Sequence, residues 1–486
     1  MDDIIEFPPE PQYTGRYLLV GRPDEASATT KDLKRGAGLE VASSLDFEAQ
    51  QLVPEDLAGA DGVFLNEIGI TVLSAAADPD AIGKAVGLSS FAEGIPGDLV
   101  GPIAEPEQYV YALDPDLDYV RGFRDAANAL ADRLLDGQQP ALTPDAEAGP
   151  VLVRPRIPIL TPAATWGLKA CKVVRPMLPL VTQPYTGRGI RVAVLDTGMD
   201  LTHRDFAGRT IRTASFVPNE TVDDRNSHGT HCIGTSCGPR TPKDPAVDRY
   251  GIAYEAEIWA GKVLSNAGSG QDGWILAGIN WAVANGCQVL SMSLGAPVPI
   301  GSTGYPASYE AAARAALQRG CLIVAAAGND SSNGLRPVSR PANCPSILAV
   351  AAVGENLQRA PFSNVGMYAP HGSIDIAGPG VGVLSAVPGG GYGTKSGTSM
   401  ATPHVAGVAA LYAQSNPTYR GAALWQALTS RAQALPNQPA AHVGAGLVQA
   451  PAVVRVYPPL NPAEQDATGD NKSTVDAGSA SAATKD

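Results

Sequence analysis

Ser399 stands at the start of an apolar stretch and is the first candidate for a chemically active residue. It follows Gly397 and Thr398 and precedes a run, 400–411, rich in Ala, Val and Gly and typical of a buried helix. A hydroxyl at a helix N-terminus faces free backbone N–H groups and the positive end of the helix dipole, which favour a developing negative charge. The pattern indicates a nucleophile or, alternatively, an ordinary helix cap.

A serine hydroxyl is a poor nucleophile at neutral pH, so catalysis needs a base and a group that orients the base. Among the six histidines, His228 differs because it opens a helix of small residues, whereas the others suit surface or packing roles. Asp196 ends an apolar strand, and functional groups collect at the carboxyl ends of parallel strands. Asn329 follows a second apolar strand and can direct its amide at an oxyanion. Together these residue types predict nucleophilic catalysis through a serine.

Three motifs resemble those of the subtilisin-like serine protease family: VLDTG at 194–198, NSHGTH at 226–231 and GTSMATP at 397–403. Their chain order, Asp then His then Ser, is the subtilisin order and differs from the orders in chymotrypsin and the α/β-hydrolases. Shorter matches lie between these motifs, at 262–271, 292–295 and 326–329. The resemblance covers about residues 165–455.

The resemblance implies a role for each candidate residue. Ser399 attacks the scissile carbonyl, and His228 takes its proton and later gives it to the leaving amine. Asp196 fixes the tautomer of the imidazole. Asn329 and the backbone N–H of Ser399 form the oxyanion hole. The implied enzyme is a serine endopeptidase that acts through an acyl-enzyme.

Members of the family bind substrate as an extended strand between two edge segments, which is a form of β-augmentation. The matching edge residues are Ser269, Gly270, Ser293, Leu294 and Gly295. The resemblance also places Ala326, Ala327 and Gly328 in the wall of the side-chain pocket. Small, apolar walls imply broad cleavage with a preference for a large apolar residue at P1, the residue just before the cut bond.

Three further positions, Asp205, Asp330 and Cys232, are compared with the family. Asp205 matches one ligand of a calcium site, but the segment 238–250, which would supply further oxygens, is longer, Pro-rich and basic. The expectation is an enzyme that requires no cofactor, with Asp205 as a candidate calcium ligand. Asp330 either favours a basic substrate residue or is a solvated turn carboxylate. Cys232 follows the second histidine of its motif, as in the proteinase K branch, and is expected near His228.

The first part of the chain has a different organisation. Residues 1–15 are predicted to be a disordered leader, and 16–114 a small α+β domain of order βαββαβ that resembles the family's propeptide. A helix at 115–136 and a Pro-rich linker at 137–164 follow. Cleavage is expected within 137–165, which would make the domain a removable inhibitor; alternatively it is a retained regulatory domain.

Residues 165–455 are predicted to form an α/β domain with a doubly wound, mostly parallel sheet, because short apolar strands alternate with Ala-rich helices. Strands are expected at 191–195, 257–263, 289–293, 321–326 and 347–353. Helices are expected at 273–285, 309–319, 399–415 and 420–431. Residues 456–486 have almost no large apolar side chains, which predicts a disordered tail.

Length and charge limit the function classes. The chain has 486 residues, enough for two or three domains, and its net charge of −13 disfavours nucleic acid or an anionic membrane as a partner. The N-terminus is acidic and no apolar run of about 18 residues occurs, so the expected location is the cytoplasm. The six cysteines are expected to be reduced thiols. The expected partners are a peptide or protein substrate and the N-terminal domain itself as an inhibitor.

Other functions fit the sequence less well. A non-catalytic binding protein on this fold typically lacks a member of the triad, and all three are present. An esterase of the α/β-hydrolase type is disfavoured because the segment around Ser399 lacks the second Gly of the nucleophile elbow. Within the proteases, broad turnover and the dedicated maturation of one peptide both remain open.

Overall fold

The structure of the chain is a computed structural model. It describes residues 11–21, 26–55, 57, 59–74, 78–86, 103–113, 163–174, 184–368 and 371–452. The predicted helix at 115–136, nearly all of the linker at 137–164 and the tail at 456–486 lie outside the described residues. Within the described part, no helix combines the length and apolar character needed to cross a membrane.

The N-terminal region forms an α+β unit in which antiparallel pairs predominate. Its elements are β1 (Tyr13–Val20), α1 (Ala26–Ala37), β2 (Val41–Ser43), β3 (Gly62–Leu65), β4 (Ile70–Leu73), α2 (Pro79–Val86) and β5 (Ile103–Ala112). The strands lie in the order β5-β1-β4-β3-β2. The unit therefore has the predicted order βαββαβ with one additional short strand, β2.

Two boundaries in this unit differ from the prediction. The leader was expected to reach residue 15, but β1 begins at Tyr13, and the irregularity at Gly15, whose φ is +87°, is a shift of register inside the strand. The last strand of this unit is predicted from its apolar and aromatic residues at 109–113, but β5 begins at Ile103. Pro106, which usually argues against a continuous strand, lies within β5 opposite Tyr17 of β1.

The centre of the N-terminal sheet is apolar on both faces, so β3 and β4 are almost entirely apolar. Leu19 and Leu73 pack against Leu33 of α1 and Ile82 of α2. Leu18 and Val72, one position away on each strand, belong to the core shared with the rest of the protein. Because side chains alternate along a strand, one face covers the unit's own helices and the other joins the larger region.

The larger region contains a parallel sheet covered by helices. Its elements are α3 (Trp166–Ala170), β6 (Arg191–Asp196), β7 (Ile211–Ser215), α4 (His228–Cys237), β8 (Glu257–Lys262), β9 (Ser269–Gln271), α5 (Asp272–Ala284), β10 (Val289–Met292), β11 (Leu294–Gly295), α6 (Ala307–Gln318), β12 (Leu322–Ala326), β13 (Leu348–Val353), β14 (Ile376–Pro379), β15 (Val383–Val387), β16 (Gly391–Lys395), α7 (Thr398–Ser415), α8 (Gly421–Thr429) and α9 (Ala440–Val443). Seven strands pair in the order β14-β13-β12-β10-β6-β8-β7. All the expected strands and helices occur within about two residues of their predicted bounds, which confirms the predicted α/β class.

Helix α7 lies in the interior, as its composition predicted. Every residue from Thr398 to Ala413 is buried. Gly407 allows the close approach of a neighbouring segment, since a Cβ added there would lie 2.8 Å from Cβ of Ile252. The serine at the start of this helix is thereby held in a rigid, fully packed element.

The two regions are joined by main-chain pairing as well as by the shared core. Strand β5 pairs antiparallel with β9 and with β11, which are short edge segments of the larger region. The last strand of the N-terminal unit therefore lies between two segments that were predicted to hold substrate.

Candidate active site

The side chains of Asp196 and His228 form a buried pair. Oδ1 of Asp196 accepts a hydrogen bond from Nδ1 of His228 at 2.7 Å and another from the backbone N–H of Thr197 at 2.7 Å. Both side chains of the pair are fully buried. The strand end and the helix start that were predicted to carry these residues are therefore brought together.

Two charged residues that the sequence analysis did not single out support this pair. Asp224 accepts hydrogen bonds from the N–H groups of Ser227 and Thr230 at 2.9 Å each, and so caps the first turn of α4, which begins at His228. Nζ of the buried Lys262 donates to the carbonyl of Thr197 at 2.6 Å and holds the turn after Asp196. Asp224 could have been recognised from the sequence, because an acidic residue just before a helix is a typical cap.

The electrostatic setting of His228 favours its charged form. Burial opposes charging of the ring, but the adjacent Asp196 carboxylate outweighs burial and raises the pKa of His228 well above its ordinary value. Nε2 of the ring has no hydrogen-bond partner among the described residues. A ring fixed through Nδ1 with a free Nε2 can accept a proton at Nε2 and retain it.

The hydroxyl of Ser399 lies against a peptide carbonyl from the N-terminal unit. Its Oγ is 2.6 Å from the carbonyl oxygen of Leu113 and 3.2 Å from that of Ser293, and it donates to these oxygens rather than to His228. Nδ2 of Asn329 donates to the same Leu113 oxygen at 2.7 Å. A single carbonyl group thus meets the predicted nucleophile and the predicted oxyanion amide.

The orientation of the Asn329 amide is set by Thr398. Oδ1 of Asn329 accepts from both the backbone N–H and the hydroxyl of Thr398, each at 2.9 Å. Because these two groups donate, the oxygen of the amide must face them and the amino group must face Leu113. The Thr398 hydroxyl in turn accepts the N–H of Gly328 at 3.1 Å.

Strand β5 occupies the groove that the sequence assigned to substrate. Val110 lies opposite Gly270 and Tyr111 opposite Ser269 on one side. On the other side, Ala112 lies opposite Leu294 and Tyr111 opposite Gly295. The N–H of Leu113 donates to the carbonyl of Ser293 at 3.3 Å. All five predicted edge residues therefore flank this strand.

The Leu113 side chain is buried next to one of the predicted pocket residues. A Cβ added to Gly295 would lie 3.3 Å from Cδ1 of Leu113, so a larger residue there would narrow the pocket. Ala326, Ala327 and Gly328 are buried, at the end of β12 and in the turn that leads to Asn329. The large apolar side chain of Leu113 is therefore buried beside Gly295, where a glycine leaves room for it.

A family model described as the subtilase family matches residues 187–446. The chain belongs to the subtilase family. Subtilisin NAT of Bacillus subtilis subsp. natto is 42% identical over 272 residues, which are 55% of this chain and 66% of that protein. The chain thus spans slightly less than two thirds of that relative. Subtilisin of Bacillus pumilus is 41% identical over 272 residues and 92% of its length is covered. The solved structure of Sphericase, 32% identical, matches with a TM-score of 0.50 over 58% of this chain and 97% of its own.

The candidate calcium position of this subtilase does not fit a metal. Oδ1 of Asp205 accepts the N–H of Lys243 at 2.6 Å, and Oδ2 accepts the hydroxyls of Tyr250 at 2.6 Å and Tyr392 at 3.0 Å. Calcium needs several oxygen acceptors, whereas this carboxylate is surrounded by donors. Donors from distant parts of the chain satisfy Asp205, which argues against the prediction that it binds calcium.

Asp330 is likewise satisfied within the chain. Its carboxylate accepts from Nδ2 of Asn364 at 2.9 Å, and burial raises the pKa of Asp330 above its ordinary value. The carboxylate of Asp330 is half-buried and hydrogen-bonded, and a preference for a basic substrate residue at this position stays a prediction. It supports the turn that carries Asn329.

Cys232 lies between the two halves of the site, as expected. Its Sγ is 4.0 Å from Nδ1 of His228 and 3.5 Å from the carbonyl oxygen of Ser399. The residue is fully buried, and burial raises the pKa of its thiol. Any group added to this sulfur would displace the imidazole or the start of α7.

We expect an organic mercurial to inhibit peptide hydrolysis by the wild-type chain and to leave Cys232→Ala active, because mercury on Sγ would push His228 away from Asp196. The measurement is the residual rate after reagent treatment. Cys237→Ala is the matched control, since Cys237 lies at the far end of the same helix, and it should stay sensitive. Equal inhibition of Cys232→Ala would contradict the assignment.

Replacement of Asp196 by Asn should move the acid limb of the pH profile of kcat/KM to lower pH. His228 must be neutral to accept a proton, so wild-type activity falls as the pH drops through a pKa that Asp196 raises. Without the carboxylate, burial is the largest remaining influence on the pKa of His228, and it lowers that pKa. The rate should also fall by about 10⁴-fold.

The control is Asp244→Asn, which removes a carboxylate from a half-exposed pair with Arg204 and should leave the acid limb in place. An acid limb at the same pH in wild type and Asp196→Asn would show that Asp196 does not set the pKa of His228.

Proposed function

We propose that the chain is a serine endopeptidase with Ser399 as nucleophile, His228 as general base and Asp196 as the residue that orients the base. One observation carries this proposal: the Leu113 carbonyl, a peptide carbonyl at the end of an extended strand, is held by Asn329 and lies against Ser399. Membership of the subtilase family supports the same roles.

The proposed reaction follows from this arrangement. Oγ of Ser399 forms a bond to the carbonyl carbon while its proton passes to Nε2 of His228. The carbonyl oxygen becomes anionic and is stabilised by Nδ2 of Asn329 and by the N–H of Ser399. His228 then gives the proton to the leaving amine, and the C–N bond breaks. A water molecule releases the acyl group by the same steps, with His228 again as base.

The N-terminal unit is proposed to inhibit the enzyme in cis. Strand β5 pairs with both edge segments in the manner of a substrate, so other peptides cannot bind while it is in place. Leu113 takes the P1 position, which favours a large apolar residue there. The bond after Leu113 is accordingly the proposed site of self-cleavage, at the predicted end of the domain rather than within 137–165.

Main-chain pairing accepts many sequences, and this supports a broad specificity over the maturation of a single peptide. A non-catalytic binding role is disfavoured because a complete and buried Asp196–His228 pair would serve no purpose in it. Both alternatives are separated from the proposal by the experiments that follow.

Ser399→Ala should lose peptidase activity by on the order of 10⁶-fold, the loss found when a subtilisin loses its nucleophile. A fluorophosphonate probe should label the wild-type chain at Ser399 and fail to label this variant. Ser396→Ala is the matched control, because Ser396 lies three residues away and its Oγ only accepts the N–H of Gly382. Labelling that persists in Ser399→Ala would refute the nucleophile.

Mass spectrometry should find that the wild-type chain is cut after Leu113, while Ser399→Ala keeps its full mass. Leu113→Asp should slow this cut by tenfold or more, roughly the cost of placing a carboxylate in an apolar pocket. Tyr13→Asp, an exposed change at the start of β1, is the control and should be cut at the wild-type rate. A first cut within 137–165 with the Leu113 bond intact would contradict the proposed site.

A further inference from the structure

A buried polar cluster joins β5 to the larger region five residues before Leu113. Nη2 of Arg340 donates to both carboxylate oxygens of Asp272, each at 2.9 Å. Nη1 of Arg340 donates to Oε1 of Gln108 at 2.8 Å. The backbone N–H of Gln108 donates to Oδ2 of Asp272 at 2.9 Å. Gln108 therefore binds an arginine through its side chain and an aspartate through its main chain.

Both charged residues are fixed by the larger region itself. The hydroxyl of Tyr309 donates to Oδ1 of Asp272 at 2.9 Å, and the guanidinium of Arg340 lies 5.6 Å from the centre of the Tyr309 ring. The main chain of Arg340 pairs in both directions with Ala296, next to the edge strand β11. Tyr309 and Ala296 both belong to the larger region, so these contacts of Arg340 and Asp272 do not depend on the N-terminal unit.

A cavity of about 410 Å³ lies beside this pair. Gln108 lines it from β5, and a Pro-rich segment, 297–306, lines it from the larger region. Of the charged residues that line the cavity, Glu105 belongs to β5, whereas Asp272 and Arg340 would remain if β5 left. The space beside Gln108 can therefore take a side chain from an incoming peptide.

Departure of β5 would remove two hydrogen bonds at this place. Nη1 of Arg340 would lose the amide oxygen that it contacts, and Oδ2 of Asp272 would lose a main-chain N–H while it keeps its bond from Nη2 of Arg340. Both groups would then face the groove, where a new partner can form these bonds. A peptide residue with a main-chain N–H and a side-chain oxygen at glutamine length would restore both bonds.

We propose that Arg340 and Asp272 form a binding site for the P6 residue of the substrate, counted back from Leu113 as P1, with a preference for glutamine. This inference rests on the proposed endopeptidase function and extends it to a selected side chain well before the cut bond. At P6, glutamate also offers an oxygen to Arg340. Lysine would place its positive charge against the guanidinium of Arg340, and alanine would leave Nη1 of Arg340 without this partner.

The test uses the wild-type chain after it has cut itself and the N-terminal unit has left the groove. The substrates are p-nitroanilide peptides copied from residues 108–113, acetyl-QYVYAL-p-nitroanilide and versions with Glu, Ala or Lys in place of the first residue. The Gln peptide should have kcat/KM about tenfold above the Ala peptide, and the Lys peptide should be the poorest. The difference should lie in KM, because a contact this far from the bond acts equally before and during reaction. Equal kcat/KM for the Gln, Ala and Lys peptides would overturn the proposal.

A variant then tests whether Arg340 causes the preference for glutamine at P6. Arg340→Lys keeps a cation for Asp272 but loses the planar fork that reaches two partners, so the preference for Gln over Ala should vanish. Arg336→Lys, four residues earlier, is the matched control and should keep the preference. Circular dichroism shows whether Arg340→Lys is folded, and hydrolysis of acetyl-VYAL-p-nitroanilide, which ends at P4, is the reference rate for each variant.

The two proposals fail in different ways. If no peptide is cleaved, the short one included, and the fluorophosphonate labels nothing, the endopeptidase proposal is wrong. If the short peptide is cleaved and the longer peptides do not differ, only the P6 site is wrong.

Discussion

The carbonyl group of Leu113 is held in place by contacts from several separate elements of the fold. Its position depends on the register of β5 between β9 and β11, and a slip of one residue would turn every side chain of β5 to the opposite face. With the observed register, Leu113 enters an apolar pocket and its oxygen meets Asn329. The amide of Asn329 is in turn held by Thr398, at the start of the same helix that carries Ser399. A strand, a turn and a helix terminus thus define one small volume in which a peptide carbonyl is bound.

This register is maintained by charges as well as by apolar packing. Glu105 of β5 accepts the N–H groups of Ala307 and Ser308, at the N-terminus of α6. Glu107 accepts the N–H of Gly273 at 2.8 Å, at the N-terminus of α5, and is also paired with Arg16. Carboxylates at helix N-termini satisfy free N–H groups and interact favourably with the helix dipole. Because Glu105 and Glu107 lie two positions apart, on the same face of β5, they position the strand against both helices at once.

The sequence predicted the parts of the site that depend on local pattern. Asp196, His228 and Ser399 each end or begin an apolar element, and that placement can be recognised from neighbouring residues alone. Contacts between distant segments were not predictable in this way. Tyr250 and Tyr392, which turn Asp205 from a candidate metal ligand into a hydrogen-bonded structural residue, lie 45 and 187 positions from it. The pairing of Arg340 with Asp272 spans 68 positions and involves no motif. The first half of β5 was not predicted, because whether a strand can contain Pro106 depends on the strand with which it pairs.

Under the proposed mechanism, substrate-like binding and inhibition have the same physical basis. The contacts of β5 lie on the acyl side of Leu113, and none of them passes through the bond to Asp114. Hydrolysis of that bond would therefore leave the strand pairing, the carboxylates at the two helix termini and the shared core unchanged. A cut N-terminal unit would stay in the groove as a bound product, and its release would require these contacts to be broken together. The same groups that present Leu113 for attack thus delay the binding of any other peptide, and the strength of the N-terminal contacts, rather than the chemistry at Ser399, would set how soon the groove becomes free.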